Sequence, residues 1–207
     1  MRPVLLHGYP LDERMWEPQL EVLRAYDPYA PRLYGRGSSV DEWARQILGE
    51  VDGDVVPVGA SMGGYVALSM ARQAPERVRA IVLAASRAAA DSPERRRERD
   101  ATIATLRADG VPANAAWGVR PEELIEATEA LRDRPDATAV VRDFAGPLLV
   151  VAGANDETVP LEEAREVAAL APDGRLEVLD GAGHFVSIDR ADRFDTLLLD
   201  FLDACRR

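Results

Sequence analysis

The stretch Val55-Val56-Pro57-Val58-Gly59-Ala60-Ser61-Met62-Gly63-Gly64, with the helical pattern of residues 65–74 after it, decides how this chain is read. The apolar run predicts a strand buried on both faces, and the periodic run after Gly64 predicts a helix. Gly59 and Gly63 stand two positions to either side of Ser61. A serine on so tight a strand-to-helix turn takes strained backbone angles, and small residues at those two places relieve the crowding. Such a turn lifts the hydroxyl clear of the sheet. It also sets it at a helix N-terminus, where free N–H groups and the helix dipole favour negative charge. A glycine-rich turn with an incidental serine has the same spelling, so the surroundings of Ser61 decide its meaning.

Outward from this turn, short apolar runs alternate with longer helical patterns. Residues 4–6, 55–58, 80–85, 148–152 and 176–179 predict strands; residues 16–25, 41–51, 62–74, 161–171 and 191–204 predict helices. Near-continuous apolar strands separated by helices describe an open, mostly parallel α/β sheet covered on both faces. A sixth strand is expected at residues 26–30. Pro28 cannot donate to a ladder, so that strand belongs at an edge. Residues 87–146 break the alternation with helical patterning and no strand. Pro93, Pro112, Pro121 and Pro135 punctuate this segment into three or four short helices, each proline near an expected helix start. The segment reads as a helical lid inserted in a single domain spanning 1–207.

A serine hydroxyl is a weak nucleophile at neutral pH and needs an adjacent base. The chain offers two histidines. His184, in Gly181-Ala182-Gly183-His184-Phe185, follows the last expected strand, and His7 follows the first and precedes Gly8. Both fall on loops at the carboxyl ends of strands, the end on which Ser61 stands and where open sheets form their sites. Asp156, in Gly153-Ala154-Asn155-Asp156, follows the strand before His184, with Glu157 beside it as the competing acid. The chain order Ser61, Asp156, His184 is the order of a Ser-acid-His triad on such a sheet.

Composition narrows the chemistry further. All 25 cationic side chains are arginine, and the net charge of −11 argues against nucleic acid as a partner. The cluster Arg95, Arg96, Arg97 and Arg99 is interleaved with Glu94, Glu98 and Asp100, which reads as a solvated helix face rather than an anion site. One cysteine, Cys205, allows neither an internal disulfide nor a cysteine zinc cluster, and two histidines make a transition-metal site improbable. No run approaches the ~18 apolar residues of a membrane span, and no signal segment is expected, so a cytoplasmic protein is the default.

At this point the residues resemble the α/β-hydrolase family, and its small esterase and lactonase-like members in particular, over nearly the whole chain. His7-Gly8-Tyr9-Pro10 is similar to the family's oxyanion loop, and Leu11 to Leu20, with Trp16, resembles the segment after it. Gly59 to Gly64 resembles the elbow that carries the nucleophile, Asp156 to Pro160 the acid loop, and Gly181 to Phe185 the histidine loop. The resemblance implies Ser61 as nucleophile, His184 as base and Asp156 as its orienting acid. It implies an oxyanion hole from the Tyr9 and Met62 backbone N–H groups, with His7 and Gly8 bracing the loop. Three departures accompany it. The first expected strand corresponds to the family's third, so the N-terminal antiparallel strands are absent and the strand at 26–30 becomes a free edge. The family's loop aspartate is replaced by Arg32. The lid is short, which implies a more open pocket.

The resemblance further implies hydrolysis of carboxylic esters of small or medium acyl chain, without metal or cofactor. Lactone, thioester and carbon–carbon hydrolysis use the same constellation, and a non-catalytic ligand binder on the fold is the reading from another class. Trp16, Trp117 and Met62 are candidate walls of the pocket, with plain packing as the other reading for the tryptophans. The expected partner is a small ester or lactone, and a second copy could pair through the edge strand.

Overall fold

Residues 1–111 and 117–206 are described by the structure, a computed structural model. In chain order the elements are β1 Arg2–Leu6, α1 Glu17–Val22, α2 Val40–Glu50, β2 Val55–Ala60, α3 Met62–Gln73, β3 Ile81–Ala84, α4 Pro93–Asp109, α5 Pro121–Asp133, α6 Thr138–Asp143, β4 Leu148–Gly153, α7 Leu161–Leu170, β5 Gly174–Leu179, α8 Val186–Asp189 and α9 Ala191–Cys205. The five strands form one sheet in the order β1-β2-β3-β4-β5, and every pairing is parallel.

Successive side chains of a strand point to opposite faces, so an apolar run supplies two cores at once. Val4, Leu6, Ile81, Leu83, Leu148 and Val150 pack under α2, α3 and α7. Their neighbours Leu5, Val56, Val58, Val82, Ala84, Leu149 and Val151 meet the other layer, where α9 contributes Phe194, Leu198 and Phe201. Burial of both faces is why these strands read as continuous rather than alternating hydrophobicity.

The register aligns the strand ends. Leu6 pairs with Gly59, Ala60 with Ala84, Ala84 with Val151, and Gly153 with Leu179. The loops carrying His7, Ser61, Asp156 and His184 therefore leave the sheet on one rim.

Two expectations are corrected here. Residues 26–30 form no strand: one parallel bridge joins Val4 to Tyr29, with Leu5 N–H donating to Tyr29 O at 2.7 Å and Tyr29 N–H to Pro3 O at 2.9 Å. Pro28 and Pro31 lack the N–H groups a longer ladder would need. The sheet accordingly has five strands instead of six. The helix expected at 16–25 is broken into 3-10 turns at Glu13–Trp16 and Arg24–Tyr26 around the short α1. Pro18 starts α1, and Asp27 ends the second turn in the left-handed region at φ 53°.

Between β3 and β4 the described residues contain α4, α5 and α6 and no strand. Pro93 and Pro121 occupy the first turns of α4 and α5, where a missing N–H costs nothing, and the Ser92 hydroxyl accepts from Arg95 N–H. Pro112 lies outside the described residues.

Arg32, where the resembled family has aspartate, ties the core to this layer. Its guanidinium reaches Glu123 of α5 at 3.2 Å, Glu13 at 3.4 Å and Asp12 at 3.5 Å.

Candidate active site

Ser61 caps α3 with φ 47° and ψ −108°, a conformation that an L-residue keeps only when its surroundings enforce it. They do so from three sides. Ser61 N–H donates to Ala84 O at 2.8 Å, and the Ser86 hydroxyl donates to Ser61 O at 2.8 Å. A Cβ at Gly59 would collide with the Gly63 and Gly64 backbone, and one at Gly63 with the Leu6 carbonyl. The two glycines singled out in the sequence thus let β1, β2 and α3 approach closely enough to force the turn.

The acid and imidazole loops are stitched together at the far side of the rim. Asn155 N–H donates to Ala182 O at 2.9 Å and Ala154 N–H to Leu179 O at 3.1 Å. Gly183 N–H donates to the Asp189 carboxylate at 2.8 Å. Held this way, His184 Nδ1 lies 2.9 Å and 3.1 Å from the Asp156 carboxylate oxygens, and its Nε2 lies 2.8 Å from Ser61 Oγ. Residues separated by 95 and 28 positions in the chain meet in one hydrogen-bonded line.

The electrostatics suit that line. The Asp156 side chain is 1% exposed. Burial pushes its carboxyl upward. Hydrogen bonds from His184 and from Val159 and Thr158 N–H outweigh this and hold it below the usual carboxylate range. An ionised Asp156 accepts from Nδ1, which leaves Nε2 as the acceptor facing Ser61. Glu157, the competing acid, is exposed on the loop surface.

His7 stands elsewhere in the arrangement. It is fully buried, and burial pushes its pKa down to about 4. Its Nε2 accepts from Leu33 N–H at 2.9 Å while Nδ1 faces Gly8 O at 3.3 Å. A neutral imidazole protonated on Nδ1 satisfies both contacts and pins the loop of Gly8 and Tyr9 to the segment after Arg32. Gly8 is required there, since a Cβ would lie 2.8 Å from the Phe185 ring. Among the described residues, neither Tyr9 N–H nor Met62 N–H has a hydrogen-bond partner.

A cavity of about 350 Å³ opens over Ser61 and His184, lined also by Tyr9, Pro10, Tyr65, Arg87, Arg99, Leu131, Thr158, Val159 and Phe185. A second, mostly apolar cavity of about 420 Å³ shares Tyr9 and Pro10 and runs between α4 and α5 past Thr105, Leu106, Val111 and Leu124. The expected wall residues do not line either one. Trp16 is fully buried on the opposite face of the sheet, its ring 6.0 Å from Phe194. Trp117 is 44% exposed and stands beside the Arg14 guanidinium, 5.9 Å from its ring centre. The Met62 side chain is core, since the first residue of α3 turns its side chain toward the sheet.

The arginine cluster also departs from expectation. Arg96 and Arg97 are solvated, but Arg95 and Arg99, four apart on one helix face, turn inward to Glu163 and Asp91. That spacing, with Asp91 four positions before Arg95, is the signal that could have marked an inward-facing pair. Arg87 carried no signal of its own.

These features agree with the comparisons to known proteins. The profile of the alpha/beta hydrolase family matches residues 4–196. The pimeloyl-[acyl-carrier protein] methyl ester esterase of Aromatoleum aromaticum is 30% identical, aligning 87% of this chain with 90% of that protein. A thermophilic esterase from Thermogutta terrifontis, solved with malate bound, superposes with a TM-score of 0.91 at 26% identity, covering 100% of this chain and 91% of that one. The enol-lactonase from Burkholderia xenovorans LB400 shares the fold at a TM-score of 0.83, with 22% identity over 98% of this chain and 92% of that one. A parallel sheet with Ser61, Asp156 and His184 gathered on one rim, and a family profile spanning nearly the whole chain, lead to one assignment: this protein belongs to the alpha/beta hydrolase family.

Proposed function

We propose that the protein is a serine carboxylesterase working through an acyl-enzyme intermediate. The observation that carries this reading is the 2.8 Å contact of Ser61 Oγ with His184 Nε2, with Nδ1 of the same ring on Asp156. His184 takes the hydroxyl proton as Ser61 Oγ attacks the ester carbonyl. The Tyr9 and Met62 N–H groups donate to the developing oxyanion, a stabilisation of about 3 kcal/mol per donor. Protonated His184 then gives its proton to the departing alkoxide. Water, deprotonated by the same Nε2, attacks the acyl carbonyl, and the proton returns to Ser61 Oγ as the acid leaves. Asp156 fixes the ring tautomer and stabilises the imidazolium without taking its proton.

The apolar cavity between α4 and α5, which shares the lining residues Tyr9 and Pro10 with the site, supports a medium acyl chain as the preferred group. The single thiol, Cys205, suits a reducing compartment, and we place the reaction in the cytoplasm.

Fluorophosphonate labelling and a panel of p-nitrophenyl esters, a lactone and a thioester test the reading. Labelling is expected at Ser61, with turnover highest on the oxygen esters. Asp156→Asn is expected to lower kcat by roughly 10³–10⁴ with KM little changed. Turnover no greater than that of Ser61→Ala would leave a ligand binder on the hydrolase fold, and a dominant lactone or thioester rate would reassign the reaction.

A further inference from the structure

The site cavity is lined on its lid side by two guanidinium groups, which a neutral ester does not need. Arg87, with 5% of its side chain exposed, pairs through Nε with Glu163 at 2.8 Å and donates from Nη2 to Thr158 O at 2.6 Å. Arg99 pairs through Nε with Asp91 at 3.2 Å. Each acid is shared with another arginine: Glu163 with Arg95, and Asp91 with Arg134 at 2.8 Å. Four guanidiniums therefore meet two carboxylates. The next acid on this rim, Asp156, is committed to His184 and two N–H groups. Asp136, near Arg134, is committed to Ala90 and Thr138 N–H.

The structural ties do not use all the donors. Among the described residues, neither Nη1 of Arg87 nor either Nη of Arg99 has a hydrogen-bond partner. Both residues line the same cavity as Ser61 Oγ and His184. In a protein of net charge −11, an excess of cation concentrated at this one partly enclosed place would be costly unless an anion completes it.

We propose that Arg99 and Arg87 bind a carboxylate carried by the substrate, so that the preferred substrate is a half-ester of a dicarboxylic acid. The proposal rests on Ser61 being the nucleophile. Arg99, the more accessible of the two, provides two terminal donors, matching a carboxylate's two oxygens. Arg87, clamped by Thr158 and Glu163, adds one donor and the wall that fixes the distance to Ser61. The anionic end then sits against α4 and the loop after β4 while the ester carbonyl lies over Ser61.

Initial rates on monomethyl esters of C4 to C7 dicarboxylic acids, measured against the corresponding dimethyl esters, test this. The wild type is expected to favour one or more half-esters at least tenfold in kcat/KM, mainly through KM, with the preference shrinking as salt is raised. Arg99→Gln is expected to cut the ratio of half-ester to diester at least tenfold, and Arg99→Lys to restore part of it. A merely structural role would lower both rates together and leave the ratio unchanged, which overturns the proposal, as does a wild type that prefers the diesters. If Ser61→Ala does not abolish hydrolysis of the diesters, the acyl-enzyme reading itself fails. Ser61-dependent hydrolysis without charge preference rejects only the carboxylate site. Melting temperatures of the Arg99 variants identify any loss caused by unfolding.

Discussion

His7 and His184 are chemically the same residue placed in two environments, and burial separates their tasks. His184 stands at the rim with Ser61 on one nitrogen and Asp156 on the other. His7 is sealed beneath the rim, with its pKa pushed down to about 4 by burial. A folded-state value below the unfolded one means that the unfolded chain binds the proton first. The stability from keeping His7 neutral is therefore complete above about 6.5 and is lost as pH falls from 6.5 toward 4. The loss amounts to roughly 3 kcal/mol by linkage. Urea midpoints measured from pH 7 to pH 4.5 should fall steadily, and His7→Gln, whose side chain does not titrate, should flatten that slope while lowering the midpoint at pH 7. An equal slope in both proteins would show that His7 is not the titrating group.

At the scale of elements, the site depends on how closely β1, β2 and α3 approach. Gly63 faces the Leu6 carbonyl, a backbone atom that cannot rotate away, so Gly63→Ala should cost about 3 kcal/mol and remove hydrolysis with it. Gly49, exposed on α2 with open space where a Cβ would go, provides the contrast. Gly49→Ala should stabilise by about 1 kcal/mol through helix propensity and leave activity alone. Paired denaturation curves check both signs, and a destabilised Gly49→Ala would contradict this account of glycine use. Arg32 works at the same scale. With Asp12, Glu13 and Glu123 all within 3.5 Å of its guanidinium, it converts the family's aspartate position into a tie between the Gly8 loop and α5.

For the whole molecule, the sheet edges are the places where a second copy would pair. On one side Tyr29 and its bridge cover part of β1. On the other, β5 is open but carries the ion pair of exposed Arg175 with half-buried Glu177, a placement that resists edge-to-edge pairing. Size-exclusion light scattering should give the monomer mass of 22.6 kDa, and a dimer would overturn this reading of the edges. Among the described residues no helix is long and apolar enough to cross a membrane.

Much of this molecule was legible in its sequence, because the deciding signals are local. Strands buried on both faces must be apolar throughout, and the turn at Ser61 calls for small residues at 59 and 63 to relieve its own crowding. The loops bearing Asp156 and His184 follow strands whose direction a parallel sheet dictates. Local signals failed where a residue's role depends on what meets it. Trp16 looked like a pocket wall but fills the opposite core. Residues 26–30 had strand-like composition but too few N–H groups for more than one bridge. Arg95 and Arg99 resembled their solvated neighbours until α4 packed. Sequence alone determined an open, mostly parallel α/β sheet and named the residues that gather on its rim, since periodicity and turn chemistry act within a few positions. Only the tertiary structure decided the contacts among Ser61, His184 and Asp156 and the excess of guanidinium over Ser61. Distances and charge balance arise between segments far apart in the chain.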